Sequence, residues 1–387
     1  MQCGVHNRAS RTFAPDIAQI TPHRLPSKSP RPPPLWSNIN VMSLQERLRD
    51  PEGSRYADFL RDKGHSGSSV LLHNLHGFLL SRTSEVLDPK TIERLEEAEA
   101  KRDDGLFNRI VIAHRHLLDK TTANFLFHRW IRLQTIKEYP FGERAALESI
   151  PIAFIPFYPF LDAFITKTPL GNIICFTEAL NSVLLAVFYT MAKSAFLKHH
   201  TPRYPQLSRL AAEDRIVSIA RFVVGGCQEG SVPPGLDVDE RTTLMADALN
   251  NIAQRFILAH EYSHFLLGHL KESHPGAGII SSGSFKHIDS YATDLEREFA
   301  ADGLAVKCLR KSNASQEGVL FNATLYSGIE VFFMFNAICK KLLGYKASGI
   351  SDGTLRAANV RECLFADADT VYILEEAEVV RGALERV

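Results

Sequence analysis

The sequence predicts an α+β protein that is mostly α-helical, with a small β-sheet ahead of one long buried helix and with a helical N-terminal region. Helical apolar periodicity covers most of residues 42–145 and returns after residue 178. Between these regions, the β-prone pieces 162–168 and 171–177 are separated by a Pro-Leu pair. With 387 residues, the chain is long enough for two ordinary domains or for one large domain.

The N-terminal 41 residues differ in composition from the rest. They hold 7 of the 19 prolines, five basic residues and a single acidic residue, Asp16. Because they lack an amphipathic period, we expect residues 1–41 to be a disordered, Pro-rich, basic tail. Two alternatives stay open: a mitochondrial presequence, although its prolines oppose the required helix, and an over-extended start with the protein beginning at Met42.

The overall charge excludes some partner classes. Lys plus Arg and Asp plus Glu both number 44, so no excess charge favours nucleic acid or an anionic membrane. The six cysteines are scattered without a C-x-x-C pair, which argues against a cysteine zinc site and a secreted disulfide framework. We expect a reducing, cytoplasmic setting. No membrane span is predicted, because polar residues interrupt the most apolar stretch, residues 171–192.

The N-terminal region contains two predicted helices. Asp88 is an N-cap candidate and precedes a proline at the first helical position, so residues 90–101 are expected to be helical. A second helix is predicted over residues 106–136 and contains His114 and His116. Since residues two apart on a helix point to different sides, we interpret these histidines as structural or surface residues.

The remaining elements follow in order. The two β-prone pieces predict a hairpin, and the Gly- and Ser-rich residues 271–289 predict a long loop, a candidate lid beside the site. The chain then predicts a turn at Ser351-Asp352-Gly353 and two short helices in its last forty residues. The other predicted helices cover residues 179–198, 207–224, 239–270, 291–309 and 318–343.

The chemistry-bearing motif is His260-Glu261-Tyr262-Ser263-His264, within the predicted helix 239–270. Two histidines four apart project from one side of a helix, so both imidazoles can bind one ion. Glu261 would then lie beside the open coordination position as a general base, which is the zincin arrangement with Zn²⁺. The alternative is a buried helix whose His and Glu side chains only make hydrogen bonds in the core.

A catalytic zinc needs a third protein ligand, and Glu298 is the best candidate. Asp302 lies four residues later on the same helix face and could orient a ligand histidine through its far nitrogen. Ala301 and Ala305 make this face slim enough for close approach to the first helix. Asp294, four residues before Glu298, is the second candidate.

The two motifs together resemble the gluzincin metallopeptidases, with the Glu-x-x-x-Asp spacing of the thermolysin-like group and the Glu-x-x-Ala-Asp pattern of the CAAX-processing peptidases. The resemblance implies a zincin-like core, here residues 146–345, between the helical region 42–145 and a C-terminal extension, 346–387. It also implies an edge strand before the active helix, for which residues 171–177 are the candidate. The roles that it implies are zinc ligands at His260, His264 and Glu298, a general base at Glu261 and a second-shell residue at Asp302.

The oxyanion-stabilising residue of this family has no counterpart that a motif identifies. Four residues stay open for this role: His287, Tyr291, Tyr326 and Arg356.

The sequence therefore predicts a zinc-dependent peptidase that hydrolyses peptide bonds with a zinc-activated water and Glu261 as general base. Its expected partner is a peptide or protein substrate, of a restricted intracellular kind. The alternative is a catalytically inactive, metal-stabilised binding or regulatory module. Intact Glu261 argues against that alternative, since a purely structural site does not need this carboxylate.

Overall fold

The secondary structure is mostly helical with one small sheet, as the sequence predicts. The structure is a computed structural model. It describes residues 55, 58, 69–71, 87–101, 106, 110, 120–155, 163–177, 179–195, 207–225, 239–271, 295–345, 347–365 and 378–387.

The described helices follow the predicted periodicity closely. They are α1 (Pro89–Lys101), α2 (Lys120–Ile136), α3 (Phe141–Glu148), α4 (Leu180–Ala195), α5 (Arg209–Val224), α6 (Glu240–Leu266), α7 (Leu295–Leu309), α8 (Gln316–Leu342), α9 (Ala347–Phe365) and α10 (Glu378–Arg386), with a 3₁₀ turn at His269–Lys271. Asp88 caps α1 as expected, accepting a hydrogen bond from the Thr91 N–H at 3.1 Å. The tail, His114, His116 and residues 272–289 of the candidate lid lie outside the described residues.

The described strands form one four-stranded sheet in the order β1-β2-β4-β3. The strands are β1 (Ser69–Leu71), β2 (Ile152–Ile155), β3 (Ala163–Thr168) and β4 (Gly171–Thr177). β3 and β4 form the predicted antiparallel hairpin, whereas β2 and β4 are parallel. The assignment of residues 171–177 as the edge strand is wrong, because β4 pairs on both sides; β3 is the edge strand that packs against α6.

Helix α6 is the element around which the core is built. It begins at the N-cap Asp239, whose side chain accepts a hydrogen bond from the Thr242 N–H at 2.9 Å, and every residue from Phe256 to Ser263 is buried. It packs against α2, α4, α7, α8 and β3. On its α2 side, the Tyr139 hydroxyl donates to the Ala259 carbonyl at 2.8 Å. The buried stretch 256–263 is enclosed by these elements, which give a rigid support for its side chains.

The predicted turn at Ser351-Asp352-Gly353 is wrong, because these residues continue α9. A Cβ on Gly353 would lie 3.2 Å from the Phe333 carbonyl oxygen on α8. The glycine therefore permits a close approach of two helices, and packing against α8 overrides its local turn preference.

The C-terminal helices belong to the same compact unit as the rest of the described chain, Met42–Val387. Helix α9 packs on α7 and α8, and α10 packs on α5 and α8. Buried Glu330 on α8 and buried Glu213 on α5 receive the Arg381 and Arg386 side chains of α10. Removing one partner of such a pair would leave a buried charge uncompensated.

Helix α8 is long and apolar enough to span a membrane by length and composition. In the protein, 78% of its most apolar window is buried. This is the environment of a core helix.

Gly328 is predicted to set the distance between α8 and α6. A Cβ at this position would lie 3.1 Å from the Leu249 carbonyl oxygen. We expect Gly328→Val to lower the free energy of unfolding by about 1–3 kcal/mol, because the packed helices must separate. Gly142→Val is the control, since a Cβ there meets nothing within 4 Å. Chemical denaturation compares the two variants, and equal losses would contradict the assigned packing role.

His128 is predicted to make stability depend on pH. Its buried ring lies 4.6 Å from the Phe154 ring and 5.3 Å from the Phe176 ring, and burial lowers its pKa to about 3. An unfolded histidine takes up a proton below about pH 6.5. The stability from this group is therefore present above that pH and is lost as the pH falls towards 3. Between pH 6 and 4, the free energy of unfolding of wild type should fall by about 1.4 kcal/mol per pH unit because of this group. His128→Phe should remove this dependence, which urea unfolding of both proteins at several pH values measures.

Candidate metal centre

The two histidines of the motif lie one turn apart near the end of α6, on the same side. Their Nε2 atoms are 2.9 Å apart, and His260 is buried while His264 is partly exposed. The helix ends shortly afterwards at Leu266, Leu267 is its C-cap, and Gly268 follows with a positive φ of 73°. This conformation suits glycine and lets the chain turn after α6 into the 3₁₀ turn that begins at His269.

Helix α7 brings Glu298 to both histidines. Its Oε2 lies 3.3 Å from His260 Nε2 and its Oε1 lies 3.3 Å from His264 Nε2. The approach is close because Ala301 and Ala305, on the buried side of α7, are fully buried.

The three residues His260, His264 and Glu298 form a group that could hold a metal ion, with one ligand atom from each within 4.8 Å of the others. Tetrahedral zinc with bonds near 2.0–2.1 Å separates its ligand atoms by about 3.3 Å. The two carboxylate-to-imidazole distances are close to this value, but each is made by a different oxygen of Glu298. The donor set of two histidines and one carboxylate is of a kind that binds transition metals, and its spacing allows one ion to be held.

The far nitrogens of both histidines also have partners. His260 Nδ1 lies 2.8 Å from Oδ1 of the fully buried Asp302. His264 Nδ1 lies 2.8 Å from His269 Nδ1. Partners of this kind fix the tautomer and orientation of ligand histidines. Asp302 lies where the sequence predicts, but His269 was given no role, since its position depends on the 3₁₀ turn after α6.

The charged groups around the imidazoles shift one another's pKa values. Burial and the Arg356 charge lower the pKa of His260. Asp302 and Glu298 raise it by a larger amount, so the pKa of His260 lies above its usual value. Burial raises the pKa of Glu298, whereas Arg356 and His260 hold it well below its usual range. The pKa of Asp302 is lowered in the same way. Both carboxylates are therefore ionised at neutral pH, and His260 must release its proton before it can coordinate a metal.

Glu261 lies outside the ligand group, as expected for a general base. It is buried on α6, and its Oε2 accepts a hydrogen bond from the Ile165 N–H of β3 at 2.7 Å. This bond joins the motif directly to the edge strand of the sheet. The sequence motif does not indicate the bond, because it depends on which strand lies beside α6.

Arg356 is the only one of the four oxyanion candidates that the structure places against the ligand group within the described residues. Its Nη1 lies 2.8 Å from Glu298 Oε2, and its Nε and Nη2 donate to Asp302 at 2.8 and 2.7 Å. Tyr326 instead interacts with Glu330 and packs on Phe365.

His287, Tyr291 and Asp294, the second choice for the third ligand, lie outside the described residues. The oxyanion role is therefore unassigned.

No model of a known protein family, no curated protein and no solved structure matches this chain. The candidate metal centre consequently rests on the geometry of its own residues.

We predict that the protein binds one divalent transition-metal ion per chain. His264→Ala should abolish stoichiometric binding, because it removes one of three protein ligands. Elemental analysis after gel filtration measures the metal content, with His128→Phe as a control that changes a buried histidine remote in sequence from the motif. Full metal retention in His264→Ala, or a metal-free wild type after growth with added zinc, would contradict the assigned ligands.

Proposed function

We propose that the protein is a zinc-dependent peptidase acting on a restricted intracellular protein substrate. The observation that carries this proposal is the ligand group His260, His264 and Glu298 with the buried carboxylate of Glu261 beside it on α6. Two histidines and one carboxylate leave a coordination position for water in zinc sites of the catalytic type. The resemblance to gluzincin peptidases supports the same reaction class.

A zinc ion held by these residues would acidify a coordinated water and polarise the scissile carbonyl. Glu261 would accept the proton of the attacking water and later deliver it to the departing amine. Asp302 and His269 would keep the two imidazoles oriented throughout. Each charged residue of the predicted motifs therefore has a role in this mechanism.

The edge strand β3 supports a peptide as the substrate class. It is an outer strand of the described sheet and packs against α6. An extended backbone that pairs with an edge strand obtains main-chain hydrogen bonds whatever its side chains are. A peptide that paired with residues of β3 other than Ile165, whose N–H donates to Glu261, would run beside the helix that carries Glu261.

A second candidate function is a metal-stabilised binding or regulatory module. The hydrogen bond from the Ile165 N–H to Glu261 favours it, because this bond gives the carboxylate a structural role that needs no proton transfer. In this case the metal would hold α6 and α7 together, and Glu261 would hold β3 on α6. The two functions predict different effects when Glu261 is replaced by glutamine, which has the same shape and no charge.

Glu261→Gln separates these functions. The glutamine Oε1 can still accept from the Ile165 N–H, so metal content and thermal stability should be retained. Glutamine cannot accept the proton, so peptidase turnover should fall by about 10²- to 10⁴-fold. Cleavage of an unfolded protein and of a peptide library is measured with equal metal loading.

The matched control is Glu296→Gln, which changes an exposed acid on α7 and should leave turnover unchanged. Equal turnover in Glu261→Gln and wild type would contradict the proposed mechanism. If neither protein cleaves any substrate while both bind metal, the binding module is the better account. A Glu261→Ala variant that loses stability as well would confirm the structural bond to β3.

A further inference from the structure

Arg356 comes from α9, in the segment that the sequence analysis treats as an extension, and it reaches the centre of the candidate site. One guanidinium contacts two carboxylates with all three of its nitrogens: Nη1 at 2.8 Å from Glu298, and Nε and Nη2 at 2.8 and 2.7 Å from Asp302. Glu298 belongs to the ligand group, and Asp302 holds His260. The guanidinium therefore links two of the three metal-binding residues.

We propose that Arg356 is the positioning residue of the metal centre, fixing the side-chain orientation of Glu298 directly and that of His260 mainly through Asp302, with Nη2 of Arg356 also 3.3 Å from His260 Nδ1. This inference rests on the metal site of the proposed function but not on peptidase activity. It assigns a role to α9, which contributes no residue to the predicted motifs.

The geometry requires an arginine. Nε and Nη2 bind the two oxygens of Asp302 side by side, while Nη1 points to Glu298, and only a planar fork presents donors in this pattern. The plane is held from one side, because the guanidinium carbon lies 4.6 Å from the centre of the Phe333 ring. Phe333 is buried and packs edge-on against Phe256 of α6. Lysine would supply the charge without the fork or the fixed plane.

The charge and the orientation of Arg356 act on metal binding in opposite directions. A positive charge beside the ligands repels a divalent cation, so its removal should strengthen metal binding if charge were its only contribution. Fixed ligand orientation strengthens metal binding, so its loss should weaken it. The sign of the change in metal affinity therefore distinguishes a positioning residue from a simple counter-charge.

Two variants test this difference. Arg356→Lys keeps the charge and loses the fork, whereas Arg356→Met loses both and keeps most of the chain length. Metal is removed with a chelator, and Zn²⁺ affinity is measured by competition with a chromophoric chelator. We expect both variants to bind Zn²⁺ about 10- to 100-fold more weakly than wild type. We also expect the visible absorption spectrum of the Co²⁺-loaded Arg356→Lys protein to differ from that of wild type, because a changed ligand geometry changes this spectrum.

The matched controls are Arg361→Lys and Arg361→Met, which change an exposed arginine on the same helix and should leave affinity and spectrum unchanged. Circular dichroism of the metal-free proteins shows whether each variant is folded. If Arg356→Met fails to fold, the comparison uses Arg356→Lys, together with Asp302→Asn in a double-mutant cycle. If Arg356 acts on His260 through Asp302, the losses of Zn²⁺ affinity in Arg356→Lys and Asp302→Asn should be strongly non-additive.

Wild-type affinity in Arg356→Lys, tighter Zn²⁺ binding in Arg356→Met, or additive losses in the cycle would each overturn the inference. A wild type that binds no Zn²⁺ would overturn it together with the proposed function. A wild type that binds Zn²⁺ but cleaves nothing would remove only the peptidase, and weakened binding in the Arg356 variants would still support the positioning role.

Discussion

Two carboxylates, Glu298 and Asp302, must be kept ionised in a poorly solvated place, and this requirement shapes the site. Asp302 is fully buried and Glu298 is largely enclosed. An isolated buried charge is very unfavourable, so both need partners at short distance. They find them in His260 and in Arg356, which come from helices on either side of α7. The packing of α6 and α9 against α7 therefore brings the two carboxylates to their partners.

Close helix packing is the means by which the pairing is achieved. Glycines lie where backbones approach: Gly328 on α8 at α6, and Gly353 on α9 at α8. Each removes a side chain that would hold the helices apart. Because the distances in the candidate centre are near 3 Å, a shift of one helix by a fraction of that length would separate its ligands. The core therefore determines the metal geometry as directly as the ligands do.

Glu261 connects the candidate centre to the sheet and also carries the main functional question. The same carboxylate that the motif assigns to proton transfer accepts a hydrogen bond from the Ile165 N–H of β3. Its other oxygen atom could still contact water, so the two roles are compatible in one side chain. A residue that both orients an edge strand and acts as a base would couple binding of an extended peptide to the reaction.

The sequence by itself determined the features that depend on local periodicity and spacing. The helices, the β3–β4 hairpin and the cap at Asp88 follow from such patterns, and so do the pairings within His-Glu-x-x-His and Glu-x-x-x-Asp. Four-residue spacing places side chains on one helix face whatever the rest of the chain does. The two histidines share a helix face for this reason, whereas their contact with Glu298 depends on the packing of α7 against α6.

Only the tertiary structure decided the features that join distant segments. These are the inner position of β4, the helical conformation of Ser351-Asp352-Gly353, and the place of Arg356 among the carboxylates. In each case a packing partner far along the chain outweighs or supplements the local preference. Arg356 is 54 residues from Asp302, and no local pattern in the sequence relates them. Their pairing follows from the burial of charge in three dimensions.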